Sequence, residues 1–336
     1  MAFPKMTTVC NSSSYMSKET ALCYAIKPIV QPVRLDALSN KLDLKRPVYD
    51  IVLFGYEADT LEIRLVESHR LVRKTILIEA AYDHHGAPKP CIWKKYLATT
   101  PRFNQFNVRS ICVSKRPPLA IRGAQPIDWK YEWYQQSAAE RVVKRLASDA
   151  IVVFGHVDEI PLRSVWHQLA TSDTLGNFPT NVAIRNLHGH IGYAVPSVYQ
   201  AKGHPYTLGS PLVTRSSLFK AVHPHGSFSP VWLIGGVHLT NYCYAGNRIL
   251  KEWTATEARP DEMTRIKPTC ASQVAGCRRS AFGHNTRTVS SNELPIMLRD
   301  NQSRYPEWTH QADSRLASSC DLHITSEVSL DQRREL

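Results

Sequence analysis

The run AIVVFGHVDEIP, residues 150–161, carries five consecutive apolar residues and Gly155 into His156, Val157, Asp158 and Glu159 before Pro161. Side chains two residues apart on an extended segment point to the same side, so His156 and Asp158 can face one cleft together. An imidazole and a carboxylate placed there could hold a divalent cation, which would bridge two phosphates and neutralise the charge on a departing diphosphate. The plainer reading is a strand-to-helix turn, because Asp-Glu-x-Pro also serves that purpose. A second candidate donor is His238, in IGGVHLTNY, where an apolar run is interrupted by two glycines and a histidine.

The chain of 336 residues is 43% hydrophobic and 21% charged, the profile of an ordinary globular protein. Its formal charge of +12 favours anionic partners such as nucleic acid, acidic lipid or nucleotide phosphates, unless the excess lies in flexible ends and loops. Nucleic acid is the weaker choice. No RNP-like, helix-turn-helix or zinc-finger pattern occurs, and the basic residues do not gather in a run. The 8 cysteines include no CxxC or CxxH pair, which argues against a structural zinc site. The closest pair, Cys270 and Cys277, suits a small-loop disulfide in an oxidising compartment. Asn11 and Asn301 head glycosylation sequons, relevant only to a secreted chain. No membrane span or signal peptide is visible: ALCYAIKPIV is short, is broken by Lys27 and follows no basic region.

Elements must bring these groups together. Residues 1–46 have no sustained period and read as a poorly ordered leader or surface wrap. VYDIVLF, bounded by Pro47 and Gly55, reads as a buried strand. In EADTLEIRLVESHR, Asp59 is placed to cap a helix with Glu62 three residues on, and Leu61, Leu65 and Val66 form its inner face. KTILIEA is a second strand. This β-α-β order predicts a parallel sheet flanked by helices, an α/β fold. VRSICV reads as a third strand, and a helix capped by Asp128 leads to the strand that ends at His156. PLRSVWHQLA and GNRILKEWTATEA read as later helices, and NVAIRN, HIGYAV and VWLIGGVHLTNY as later strands. Residues 309–336 are a polar tail, leaving 47–308 as a single main domain.

In their order, EADTLEIRLVE, ILIEAAYDHHGAPKP, WKYEWYQQSAAERVVKRL, VVFGHVDEIP, GGVHLTNYCYAGNRILKEWTATEA and LPIMLRDNQSRYPEW resemble glycosyltransferase family 17. The resemblance spans residues 47–308. It implies a GT-A-like, Rossmann-type, mostly parallel sheet. It also implies an inverting, metal-dependent transfer of a sugar from a UDP-sugar, with Mn2+ as the cation. The family's best-known activity moves N-acetylglucosamine from UDP-GlcNAc to the β-mannose of N-glycan cores, so a glycan or glycoprotein is the implied acceptor. Asp158 matches the last acid of the family's Asp-x-Asp motif, and Glu159 and Pro161 match the residues after it. His156 stands where the family has an acid. His238 matches a Gly-Trp-His stretch, with Val237 in place of Trp, and is the implied third metal ligand after His156 and Asp158.

Glu57, Asp59, Glu62 and Arg64 match the family's first acidic block. Glu57 and Asp59 lie where a nucleotide would sit, Asp59 serving equally as a helix cap, while Glu62 and Arg64 are packing or ion-pair residues. Lys89, in the matching Gly-x-Pro-Lys-Pro loop, is placed to reach a phosphate. Glu79 matches a Glu-Ser-Asn stretch whose polar residues are here Ala80 and Ala81. On the helix before the metal strand, Trp129 and Trp133 are expected in the core, with Glu140 and Arg141 toward the cleft. Inversion requires a carboxylate to take the proton of the attacking hydroxyl, and Glu159 then Glu257 are the candidates. The loss of polar residues at 80 and 81, together with His156, also suits a sugar-nucleotide-binding protein without turnover. The family implies a Golgi or secretory location. With no anchor in view, a cytosolic transferase acting on a non-secretory acceptor is the alternative.

Overall fold

The computed structural model describes residues 32–35, 38, 43–84, 86, 88–117, 130–172, 179–188, 193–194, 211–220, 232–240 and 287–305. Four parallel strands form the part of the sheet that bears on function: β1 (Val48–Leu53), β2 (Lys74–Ala80), β3 (Val108–Val113) and β4 (Ile151–His156). Their order is β3-β2-β1-β4, with β1 hydrogen-bonded to β2 on one side and to β4 on the other.

Alternate residues of these strands enter different cores. Val52, Phe54 and Leu77 pack with Leu61 and Leu65 of helix α1 (Ala58–Ser68). Ile51, Leu53, Ile76 and Ile78 pack with Ala138, Ala139 and Val143 of helix α2 (Lys130–Val143). Burial of both faces is why β1, β2 and β4 read as apolar runs without polar alternation, whereas the edge strand β3 is largely half-buried or exposed.

Beyond β4 the sheet becomes mixed. β8 (Leu212–Arg215) lies antiparallel to β4, and β6 (Thr180–His188) lies antiparallel to β8. β9 (Trp232–Thr240) runs parallel to β6 and pairs antiparallel with β5 (Glu159–Pro161), the strand just after the His156 turn. The short strands β7 (Tyr193–Ala194) and β10 (Arg287–Thr288) extend the far end. Helix α3 (Arg163–Thr171) follows Pro161 as expected, and α4 (Ile296–Asp300) packs against α1. None of the helices among the described residues is long and apolar enough to cross a membrane.

Three expectations change. Glu57, not Asp59, is the N-cap of α1, and it makes no side-chain cap bond. Asp59 and Glu62 instead converge on Arg102, at 2.6 and 2.8 Å, so the capping box gives way to a buried ion cluster. Trp133 is 57% exposed, because the buried stripe of α2 is Glu132, Gln135, Gln136, Ala138, Ala139 and Val143. Glu140 pairs with Lys144 at 2.7 Å one turn along the outer face of α2, not toward the cleft. A disulfide joins Cys91 to Cys112 of β3, with Cα atoms 5.9 Å apart. Cys270, Cys277, Asp128, Trp129, Glu257, the helix expected around it and most of the leader and tail lie outside the described residues.

Candidate functional site

The turn after β4 is built from below by α1. Arg64, fully buried, grips Asp50 of β1 through two bonds of 2.9 and 2.6 Å. Its remaining guanidinium nitrogen donates to the carbonyl of His156 at 2.9 Å and to that of Glu159. One side chain therefore ties both ends of the His156–Glu159 turn to the central strand. The Val157 amide donates to the Leu53 carbonyl, and the Leu239 amide to the Asp158 carbonyl at 2.8 Å. The Glu159 carboxylate, 1% exposed, folds back to accept the His156 amide proton at 2.8 Å. It fills the space beside Gly155, where an added Cβ would stand 2.8 Å from its oxygen. Glu159 is thus turned inward as a brace of the turn. A general base needs to face the acceptor, so this placement answers the expectation for Glu159 with a structural role.

Antiparallel pairing sets Glu159 opposite His238 in the β5–β9 ladder. This register brings His238 Nε2 to 3.3 Å from Asp158 Oδ2. The carboxylate is 6% exposed and the imidazole 25%, so the pair opens to solvent through the histidine. Two residues 80 positions apart, both read from the sequence as cation donors, therefore meet.

His156 faces a different partner. Its Nε2 lies 3.5 Å from Glu132 Oε1, and the other oxygen of Glu132 lies 4.0 Å from His84 Nδ1. Gln136, one turn along α2, donates to Glu132 Oε1 at 3.0 Å. Burial pushes His84 down to about 4, against the opposing pull of the Glu132 carboxylate, so its ring is neutral at pH 7. Neither Glu132 nor His84 was singled out from the sequence. The available signal was a carboxylate on the inner stripe of an amphipathic helix, where an unpaired acid is costly.

On the β1–β2 side, Glu57 is half-buried and accepts the Tyr56 amide proton at 2.8 Å. Asp59, 5% exposed, is held by Arg102 at 2.6 Å. Lys89 Nζ lies 4.5 Å above the Tyr56 ring, sealed from solvent and without a hydrogen-bond partner. Burial lowers its pKa, while the Glu79, Glu57 and Asp83 carboxylates act the other way. The amine is buried in the field of these three carboxylates, a placement that differs from the phosphate contact expected of Lys89. Glu79 shares this pocket. Burial raises its pKa although the Trp93 amide donates to it at 3.0 Å.

In open α/β sheets ligands bind outside the carboxyl ends of the strands, and His156, Asp158, Glu57 and His84 all lie at such ends. This arrangement is that of an α/β fold with a GT-A-like sheet. Residues 34–191, a little under half of the chain, match the model of glycosyltransferase family 17. The match supports a glycosyltransferase, a class that implies a nucleotide-sugar donor and a glycan acceptor. The match ends before His238, Glu257 and the LPIMLRDNQSRYPEW segment. No curated protein matches the chain.

The divalent cation that the resemblance implies poses a fit test for these residues. Among the described residues no three His, Cys, Asp or Glu side chains are grouped to enclose a metal. Small divalent cations are often held by one or two protein donors, with substrate phosphates and water completing the shell. The Asp158–His238 pair suits that kind of half-site.

Proposed function

We propose that this chain is an inverting, metal-dependent transferase that moves a sugar, N-acetylglucosamine from UDP-GlcNAc in the first instance, to a glycan such as the β-mannose of an N-glycan core. The single observation that carries the reading is the 3.3 Å approach of His238 to Asp158 at the carboxyl end of the parallel strands, in a chain whose family transfers sugars. Asp158 and His238 would hold Mn2+, and the cation would supply Lewis-acid stabilisation of the departing diphosphate.

The chain's own residues set the geometry. Arg64 and the inward Glu159 carboxylate fix the turn, so that the Asp158 carboxylate is pre-positioned and little reorganisation is needed when the diphosphate arrives. Glu57, at the end of β1, lines the donor side, with Lys89 balancing the acids behind it. Since Glu159 faces inward, the role of base for the acceptor hydroxyl passes to Glu257. A screen of UDP- and GDP-sugars for hydrolysis and transfer, with Mn2+ and with chelator, tests this directly. Turnover of a UDP-sugar that chelator abolishes supports it, and chelator-insensitive turnover counts against it. The inward Glu159 favours a second reading, donor binding without turnover, which the same screen separates by tight UDP-sugar uptake with no product.

A further inference from the structure

Strands β6 and β9 alternate between a core face and a second face. Val237 and Leu239 of β9 and Leu187 of β6 enter one core with Ile63 of α1 and Leu298 of α4. Successive strand residues face opposite sides of a sheet, so His238 and Asn186, one position away from these, share the other side. The two strands run parallel with Asn186 directly opposite His238. His238 in turn lies 3.3 Å from Asp158. Asp158, His238 and Asn186 thus follow one another across the site, from the turn after β4 to β9 to β6.

Asn186 is half-buried, and its side-chain oxygen, closed off from solvent, has no hydrogen-bond partner. Folded proteins pair nearly all of their buried acceptors, because one left unpaired weakens the fold. A neutral amide oxygen is satisfied by an O–H or N–H donor. An ionised diphosphate has none to give. A saccharide has hydroxyls and, where it is an N-acetylated amino sugar, an amide N–H as well. The last torsion of an asparagine side chain is soft, so a turn of the amide carries its oxygen toward such a group.

We propose that Asn186 is a saccharide-binding residue, its amide oxygen accepting a hydrogen bond from a hydroxyl or acetamido N–H of a sugar seated beside His238. The inference rests on the reading of Asp158 and His238 as the diphosphate end of the site, and it puts the sugar on the β6 side of that pair. The sugar being transferred and the glycan that receives it share this chemistry, and separate ligands tell them apart.

The test is calorimetry of the full chain with Mn2+ and, in turn, UDP, UDP-GlcNAc and an N-glycan core oligosaccharide ending in β-mannose. Asn186→Leu removes the oxygen at similar volume and should melt no lower than the wild type, since no bond is lost with it. Where leucine lowers the melt, binding is read from Asn186→Ala, which adds no bulk. The expected result is UDP bound as by the wild type and UDP-GlcNAc bound about tenfold more weakly. A loss confined to the oligosaccharide assigns Asn186 to the acceptor instead of the transferred sugar. UDP weakened as much as UDP-GlcNAc, or all of these ligands bound as by the wild type, overturns the proposal. If the wild type takes up neither UDP nor UDP-GlcNAc, the sugar-nucleotide reading fails and the oligosaccharide alone decides: binding weakened by the substitution upholds Asn186, and unchanged or absent binding overturns it.

Discussion

Replacing Arg64 by methionine removes the clamp beneath the site and leaves Asp50 buried without its counter-ion. Both side chains are 0% exposed, so no solvent relieves the loss. Breaking a buried pair from one side costs about 3–5 kcal/mol. The carbonyls of His156 and Glu159 also lose their donor, and a buried acceptor left unsatisfied costs about 1–3 kcal/mol. Contributions from one network do not simply add, so the expected loss is about 5 kcal/mol, a fall in melting temperature of roughly 10–20 °C for a domain of this size. Asp50→Leu combined with Arg64→Met removes both charges and restores most of that stability, since a paired loss is far cheaper than an orphaned charge. The double variant still lacks the ties to the turn, so Mn2+-dependent UDP binding stays weak in a protein that melts near the wild type. Thermal melts of the three proteins, with calorimetry below the lowest melt, separate the two roles. A single Arg64→Met variant as stable as the double variant, or a double variant that binds UDP like the wild type, would refute the reasoning.

Asp158→Asn should abolish sugar transfer while melting within about 1 kcal/mol of the wild type, because the turn is held by backbone bonds and Arg64; retained, Mn2+-dependent turnover would contradict its role. Glu67, whose carboxylate takes the first amides of both α3 and α4 at 2.5 Å each, is pushed up to about 7 by burial. A raised carboxylate favours the fold while protonated, so its contribution is full below about 4.5 and fades as pH rises through 7. That amounts to about 3 kcal/mol of pH-dependent stability, which Glu67→Gln should erase from denaturant titrations between pH 4 and 8. His84 shifts the other way. Its contribution is present above the ordinary 6.5 and is lost as pH falls toward 4, and its ring resonances should titrate near 4 in the folded protein. Reducing the Cys91–Cys112 bond, which closes a 21-residue separation, should cost about 3 kcal/mol in denaturant melts with and without reductant.

Much of the parallel half of the fold was legible in the sequence because burial on both faces writes apolar runs: KTILIEA is β2 itself, while VRSICV, the edge strand β3, was legible from its β-branched residues rather than from burial. β5 escaped notice because three residues carry no period, and only the pairing with β9 makes Glu159–Pro161 a strand. Asp158 and His238 were legible as chemistry by type and flanking pattern, but their 3.3 Å approach depends on a ladder between distant segments. The partners of Glu132 were not legible for the same reason. Its neighbours His84 and His156 come from the loop after β2 and the end of β4, and nothing local in α2 points to them. Asp59 misled because Ser, Thr, Asp and Asn cap helices so often, whereas here Arg102, more than 40 residues on, competes for it. The Cys91–Cys112 bond joins residues whose spacing resembles no motif, and the sheet edge brings them together.

The most direct test of the central claim is calorimetric titration of UDP into the full chain with and without Mn2+, set against Asp158→Asn. Uptake that requires the cation and falls at least tenfold in the variant is the predicted result. Equal uptake by both proteins, or uptake indifferent to Mn2+, would contradict it.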